Sequence, residues 1–127
     1  MEERKRPEVK IIDKRQKVHI LVPAYGSIPS GFLNGFVALI FEAQRHFIVK
    51  IGIMECNPVD EARNKLIDSA LATGSDYVFF LDSDVICPKD TIARLAETMA
   101  EKNADMVSGL YFQKNKPYYP VIREYKF

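Results

Sequence analysis

Few features in this chain point toward nucleic acid, a membrane or an oxidising compartment. Its 18 Lys and Arg residues are balanced by 17 Asp and Glu, a formal net charge of +1. No excess of one sign draws it to nucleic acid, so no nucleic-acid partner is expected. There are 2 cysteines, Cys56 and Cys87, and their spacing fits neither a metal-ligand nor a redox motif. Reduced thiols in a cytoplasmic setting are the expectation. The 2 histidines, His19 and His46, stand alone, at a strand start and after a helix, where a single imidazole is seldom a ligand. Apolar stretches break off well short of spanning length, so no membrane span is expected. The charged first dozen residues lack the pattern of a signal peptide. Repeats and low-complexity tracts are absent, and so are a Walker A loop and GxGxxG, the usual phosphate cradles.

What remains is the composition of an ordinary soluble globular domain, 47% hydrophobic and 28% charged over 127 residues. That length buries a real core with little room for a second. Residues 1–17 are mixed in charge and read as a solvated leader, with contact to an anionic membrane surface as the other reading. Residues 18–127 are expected to form a single domain.

Within that domain, strand-like and helix-like patterns alternate. Residues 18–23 read as a first strand. Residues 30–45 read as a helix with Ser30 as N-cap, and Phe32, Leu33, Phe36, Val37, Leu39, Ile40 and Phe41 cover most of its circumference, which predicts deep burial. Residues 47–54 read as a second strand. Asn57 and Pro58 read as a cap followed by proline at the first helical position. Val59, Ala62, Leu66, Ile67, Ala70 and Leu71 keep helical spacing up to Gly74, which ends that helix. Residues 77–81 are a third strand. Asp90 suits the N-cap of a third helix carrying Ile92, Leu95, Ala96 and Met99 on one face, and Asn103 suits its left-handed end. Residues 104–112 and 119–127 read as fourth and fifth strands. The alternation predicts an α/β fold, a mainly parallel sheet flanked by helices.

The most informative feature is Asp82-Ser83-Asp84 at the end of the apolar run 77–81. Carboxylates two residues apart on an extended backbone point the same way. At the carboxyl end of a strand they enter the crevice where open α/β sheets bind ligands. Carboxylate oxygens suit hard cations such as Mg2+ or Mn2+, which also hold substrate phosphates. The same residues equally suit a strand end breaking into a solvated turn.

Three blocks, in order, carry a resemblance. His19-Ile20-Leu21-Val22-Pro23-Ala24-Tyr25 resembles an opening strand ending in a Pro-x-Tyr turn. Ala62-Arg63-Asn64 resembles an Ala-Arg-Asn element on the second helix. Phe80-Leu81-Asp82-Ser83-Asp84, with Pro88 after it, resembles a DxD strand and its loop. Together, over about residues 18–112, they resemble the nucleotide-sugar-binding half of a GT-A glycosyltransferase of the family 2 type. The resemblance implies a Rossmann-like GT-A architecture and a hexosyltransferase-type enzyme. It also implies a nucleotide-diphosphate sugar donor and Mn2+ or Mg2+ as cofactor. Asp84 would be the main metal ligand, and Asp82 would hold the ribose or the metal's water shell. Pro23, Ala24 and Tyr25 would shape the base and ribose pocket, beside Ser83 of the motif. Arg63 would touch the diphosphate or order the carboxylates, its other reading being an ion pair with Asp60 or Glu61. Glu55 would substitute for the acidic residue that reads the base, and Asn64 would brace the turn beneath.

No general base can be carried over, because that family's base and acceptor elements lie well after the DxD strand. The pattern fits a truncated, minimal or partner-completed module whose acceptor is a glycan, lipid or protein. Tyr111, Phe112, Tyr118, Tyr119 and Tyr125 suit a sugar platform or a packed subunit contact. The aromatic end predicts a homo-oligomer, or pairing with a missing segment, through the last twenty or so residues. Two other classes fit. One is a non-catalytic nucleotide-sugar binding or assembly module. The other is a haloacid dehalogenase-type phosphatase, in which the first Asp is the nucleophile; against it, that motif normally occupies the first strand.

Overall fold

Val18, Ile20, Leu21 and Val22 form a β-branched and leucine run with no polar alternation, which suits a parallel strand covered on both faces. They form β1, Lys17–Ala24, the middle strand of the sheet. The computed structural model describes residues 15–24, 26–55 and 58–109. These lie in two compact units, Met1–Lys89 and Asp90–Phe127. The first unit continues with α1 (Ser30–Ala43), β2 (Ile48–Glu55), α2 (Val59–Ala72) and β3 (Tyr77–Phe80). The second contains α3 (Thr91–Lys102).

The sheet has the order β2-β1-β3, and both pairings are parallel. This is the α/β architecture expected, a parallel sheet flanked by helices. Successive side chains alternate between faces. One face of β1 carries His19 and Leu21, and Leu21 packs with Leu66 and Ala70 of α2 and with Met54. Gly52 allows that approach. A Cβ there would meet Leu66 Cδ2 at 3.2 Å and His19 Nε2 and Leu21 Cδ2 at 3.3 Å. Val18, Ile20 and Val22, on the other face, are fully buried too. Edge-to-face contact of Phe47 with Tyr77, centroids 5.9 Å apart, braces the amino end of the sheet. There the Lys17 and Asp76 backbones are tied by Asp76 N–H donating to Lys17 O, 2.9 Å, and Lys17 N–H donating to the Asp76 carboxylate, 2.8 Å.

Several local expectations are corrected. Ser30 is the first helical residue, not the cap. Pro29 holds the cap position, and its carbonyl accepts from Phe32 and Leu33 N–H. Proline suits it because no N–H is needed there. Pro58 likewise caps α2 in extended geometry and does not begin it. Asn57 lies outside the described residues. The burial of α1 is narrower than its composition suggests. Phe32, Phe36, Leu39 and Ala43 form the buried stripe, while Leu33, Val37 and Phe41 are exposed, Phe41 by 67%. On α2, among the described side chains of the expected apolar set, Ala62, Leu66 and Ala70 are buried, and Ile67 and Leu71 are exposed.

Two helix ends follow the sequence. Gly74 takes φ +68° after α2, and Asn103 takes φ 49° after α3. Asp90 precedes α3 but makes no side-chain cap bond; its carboxylate pairs with Arg94 Nε at 2.7 Å instead. The fourth strand expected at 104–112 is not formed over its described part, 104–109. Asp105, Ser108 and Gly109 all disfavour extended pairing, leaving Val107 as the one β-branched residue there. Leu110 to Phe112 and the expected fifth strand lie outside the described residues, as do most of the leader and the aromatic cluster from Tyr111 onward.

Candidate functional site

A 2-1-3 strand order has its topological switch point between β1 and β3, the crevice where open α/β sheets take ligands. The β1–β3 ladder ends at the Leu21–Phe80 pair, with Leu81 N–H donating to Leu21 O at 3.0 Å. β1 then runs on for three residues beside β2 alone. Pro23, which lacks an N–H, is tolerated in this central strand because no β3 residue pairs with it. The chain after β3 parts from β1 here, and a cavity of about 430 Å³ opens between them. Pro23, Ser27, Pro29, Arg63, Asp82, Ser83 and Asp84 line it.

Asp82 to Asp84 do not continue the strand. The backbone turns, closed by Val85 N–H donating to Asp82 O at 3.1 Å. The extended-backbone argument for parallel carboxylates therefore fails, and the turn is real. Both carboxylates still line one cavity, because the turn wraps around it. Arg63 reaches Asp82 from α2. Its Nη2 lies 3.2 Å from Asp82 Oδ1, with the two side chains 49% and 47% exposed. Among the described residues no ion pair joins Arg63 to Asp60 or Glu61.

The other expected site residues are spread along the same rim. Ala24 and Glu55 are register partners at the carboxyl ends of β1 and β2. Ala24 is buried and Glu55 exposed, and neither lines the cavity. Asn64 is exposed on α2. Tyr25 lies outside the described residues. Ser27 and Pro29 were missed by the sequence reading. They follow the Pro-x-Tyr turn, in the loop that Gly26, at φ +56°, sends from β1 to α1. Loops at the carboxyl ends of strands are where such sites form, so position alone could have found them.

Two acidic side chains, two serines and a guanidinium thus gather around a crevice at the switch point of an α/β fold. The chain belongs to glycosyl transferase family 2, whose model matches residues 43–126, more than half of its length. That match includes Ala62-Arg63-Asn64 and Asp82-Ser83-Asp84, and begins after the opening strand. The chain matches no curated protein and no solved structure. It is thus a glycosyltransferase-family domain, and no helix among the described residues is long and apolar enough to cross a membrane.

Proposed function

We propose that the cavity between β1 and β3 is the donor site of a glycosyltransferase that takes a nucleotide-diphosphate sugar together with Mn2+ or Mg2+. The observation that carries this is the convergence of Asp82, Asp84 and Arg63 on one cavity at the switch point of a family 2 domain.

The donor set fits a hard cation that shares its coordination with a substrate. Among the described residues no three His, Cys, Asp or Glu side chains gather as a metal cage. Mg2+ and Mn2+ at phosphate sites are commonly held by one or two carboxylates, with water and phosphate oxygens completing the shell. Asp84 would be the main ligand, and Asp82 would hold the water shell or the ribose. Held by these residues, such a cation would supply charge stabilisation for the departing diphosphate. Arg63 contributes a fixed positive charge on the same side. Pro23, with Ala24 and Tyr25, would form the wall toward base and ribose. Ser83 would offer a hydroxyl, and Glu55 would read the base from the rim.

Transfer to a glycan, lipid or protein acceptor, a hexosyl donor, a cytoplasmic location, one domain over 18–127 behind a leader, and a homo-oligomer belong to the same proposal. Light scattering that shows a strict monomer would remove the last of these.

The test is a panel of nucleotide-diphosphate sugars incubated with the purified protein and Mn2+, reading release of nucleoside diphosphate. Release that needs the metal and is lost in Asp84→Ala supports the enzyme reading. Metal-dependent binding without release under any acceptor tried favours a non-catalytic module. Phosphatase activity abolished by Asp82→Asn identifies the nucleophilic rival.

A further inference from the structure

The contact between Arg63 and Asp82 conflicts with the roles the donor-site reading gives those two residues. A guanidinium on Asp82 Oδ1 competes with a cation for that carboxylate, and a guanidinium spent on Asp82 is withheld from a diphosphate. We propose that the Arg63–Asp82 ion pair is an exchangeable stand-in. It is broken when donor and cation enter together, Arg63 passing to the diphosphate as Asp82 passes to the cation. This inference rests on the donor-site reading above and deepens it.

Three observations carry it. The first is the charge of the cavity wall. Among its described lining residues Asp82 and Asp84 are anionic and Arg63 is the one cation. That set sums to one negative charge, which repels a diphosphate. A divalent cation turns the sum to one positive charge. The first turn of α2 adds Asp60 and Glu61, so the partial positive charge of that helix end is already opposed. The cavity is therefore hostile to a diphosphate until a cation is present.

The second is the geometry of the pair. The distance is 3.2 Å, through one nitrogen and one oxygen, at the long end of the hydrogen-bond range. The two side chains are about half exposed. Such pairs are weak and screened, so they open at little cost when better partners arrive. By contrast, the backbone beneath Arg63 is firm, because Ala62 beside it and Leu66 and Ala70 further along are buried. The guanidinium can swing while its base stays fixed.

The third is the want of a three-residue cage among the described residues. Among the described residues the carboxylates of this cavity open to a cation alone are Asp82 and Asp84, and at Asp82 Oδ1 it competes with Arg63. With diphosphate oxygens present, Arg63 and Asp82 each exchange one charged partner for another. The device thus couples cation binding to donor binding.

The test measures Mn2+ alone by electron paramagnetic resonance of the free ion, on the full protein without nucleotide. Arg63→Met removes the competing charge and keeps the length. It should bind Mn2+ about fivefold more tightly than the unaltered protein, the scale of a half-exposed ion pair. Arg63→Lys should lie close to the unaltered protein. In the reverse direction, Asp82→Asn frees the guanidinium, so binding of uridine or guanosine diphosphate in chelator should rise about severalfold. Because Asp82→Asn leaves α2 untouched, it decides the matter even if Arg63→Met does not fold. Unchanged or weaker Mn2+ binding in folded Arg63→Met, or unchanged metal-free diphosphate binding in Asp82→Asn, would overturn the exchange. If the unaltered protein binds no nucleoside diphosphate under any condition, the donor-site reading falls, and the Mn2+ comparison still decides whether Arg63 guards Asp82.

Discussion

His19 Nδ1 lies 3.4 Å from the Thr73 hydroxyl, linking the start of β1 to the end of α2. Thr73 also donates to Ala70 O at 2.9 Å, which uses its single hydroxyl proton. With that proton on Ala70 O, the hydroxyl is left to accept from His19 Nδ1, and His19 Nε2 is turned toward Gly52 on the buried face. A second proton would place a charge among Leu21, Leu66 and Gly52. Burial, and then the charge of Lys50, its register partner on β2, push the His19 imidazole below its ordinary value.

The pH dependence follows from that sign. The folded protein releases the His19 proton more readily than the unfolded chain, so the unfolded state binds more protons in the window below about 6.5. The His19 contribution is fully present above that pH and is lost as pH falls toward the lower, folded value. Denaturant midpoints measured from about pH 7.5 down to about pH 5 should decline. In His19→Gln the decline should be shallower. An identical slope in both proteins would show that His19 is not the group responsible.

Leu66 anchors α2, and with it Arg63, to the sheet. It is buried against Leu21 and Ala70. Leu66→Ala should cost about 2–5 kcal/mol of stability by removing buried methyl groups and leaving a cavity. The matching truncation Leu71→Ala, at a site 71% exposed, should cost well under about 1 kcal/mol. Chemical denaturation of the two variants reads the difference directly. Equal losses would mean that α2 is docked differently.

Position relative to the cavity separates the acidic candidates. Asp84 lines it and Glu55 does not, although both stand at carboxyl ends of the sheet. Asp84→Ala should abolish the metal dependence of nucleoside diphosphate binding. Glu55→Gln should change affinity by no more than about threefold, the scale of one exposed polar contact. Fluorescence titration with a labelled nucleoside diphosphate checks both. A larger loss at Glu55 than at Asp84 would move the site to the β2 end of the rim.

The strands and helices of the first unit were legible because its signals are local. Apolar runs at 18–22 and 77–81, the αL glycine at 74 and the helical spacing of Ala62, Leu66 and Ala70 each specify one outcome. The DxD position was legible for the same reason, since it follows directly from the end of an apolar run. The exposed side of α1 was not, because Leu33, Val37 and Phe41 differ from their buried neighbours only in angle around the helix. The partner of Arg63 was legible only through the family resemblance, which offered the carboxylates of the motif, and not from its neighbours in sequence. Asp60 and Glu61 are near it in sequence, while Asp82 is near it only after β3 pairs with β1. Residues 104–109 misled because Met106 and Val107 look strand-like where Asp105, Ser108 and Gly109 are not.

The central claim is that the β1–β3 cavity receives a nucleoside diphosphate together with a divalent cation. Calorimetric titration of the protein with a panel of nucleoside diphosphates, in Mn2+ and then in chelator, tests it most directly. At least one member of the panel should bind in Mn2+, and its affinity should fall by about tenfold or more when the metal is removed. Equal affinity in the two conditions, or no binding by any member, would contradict it.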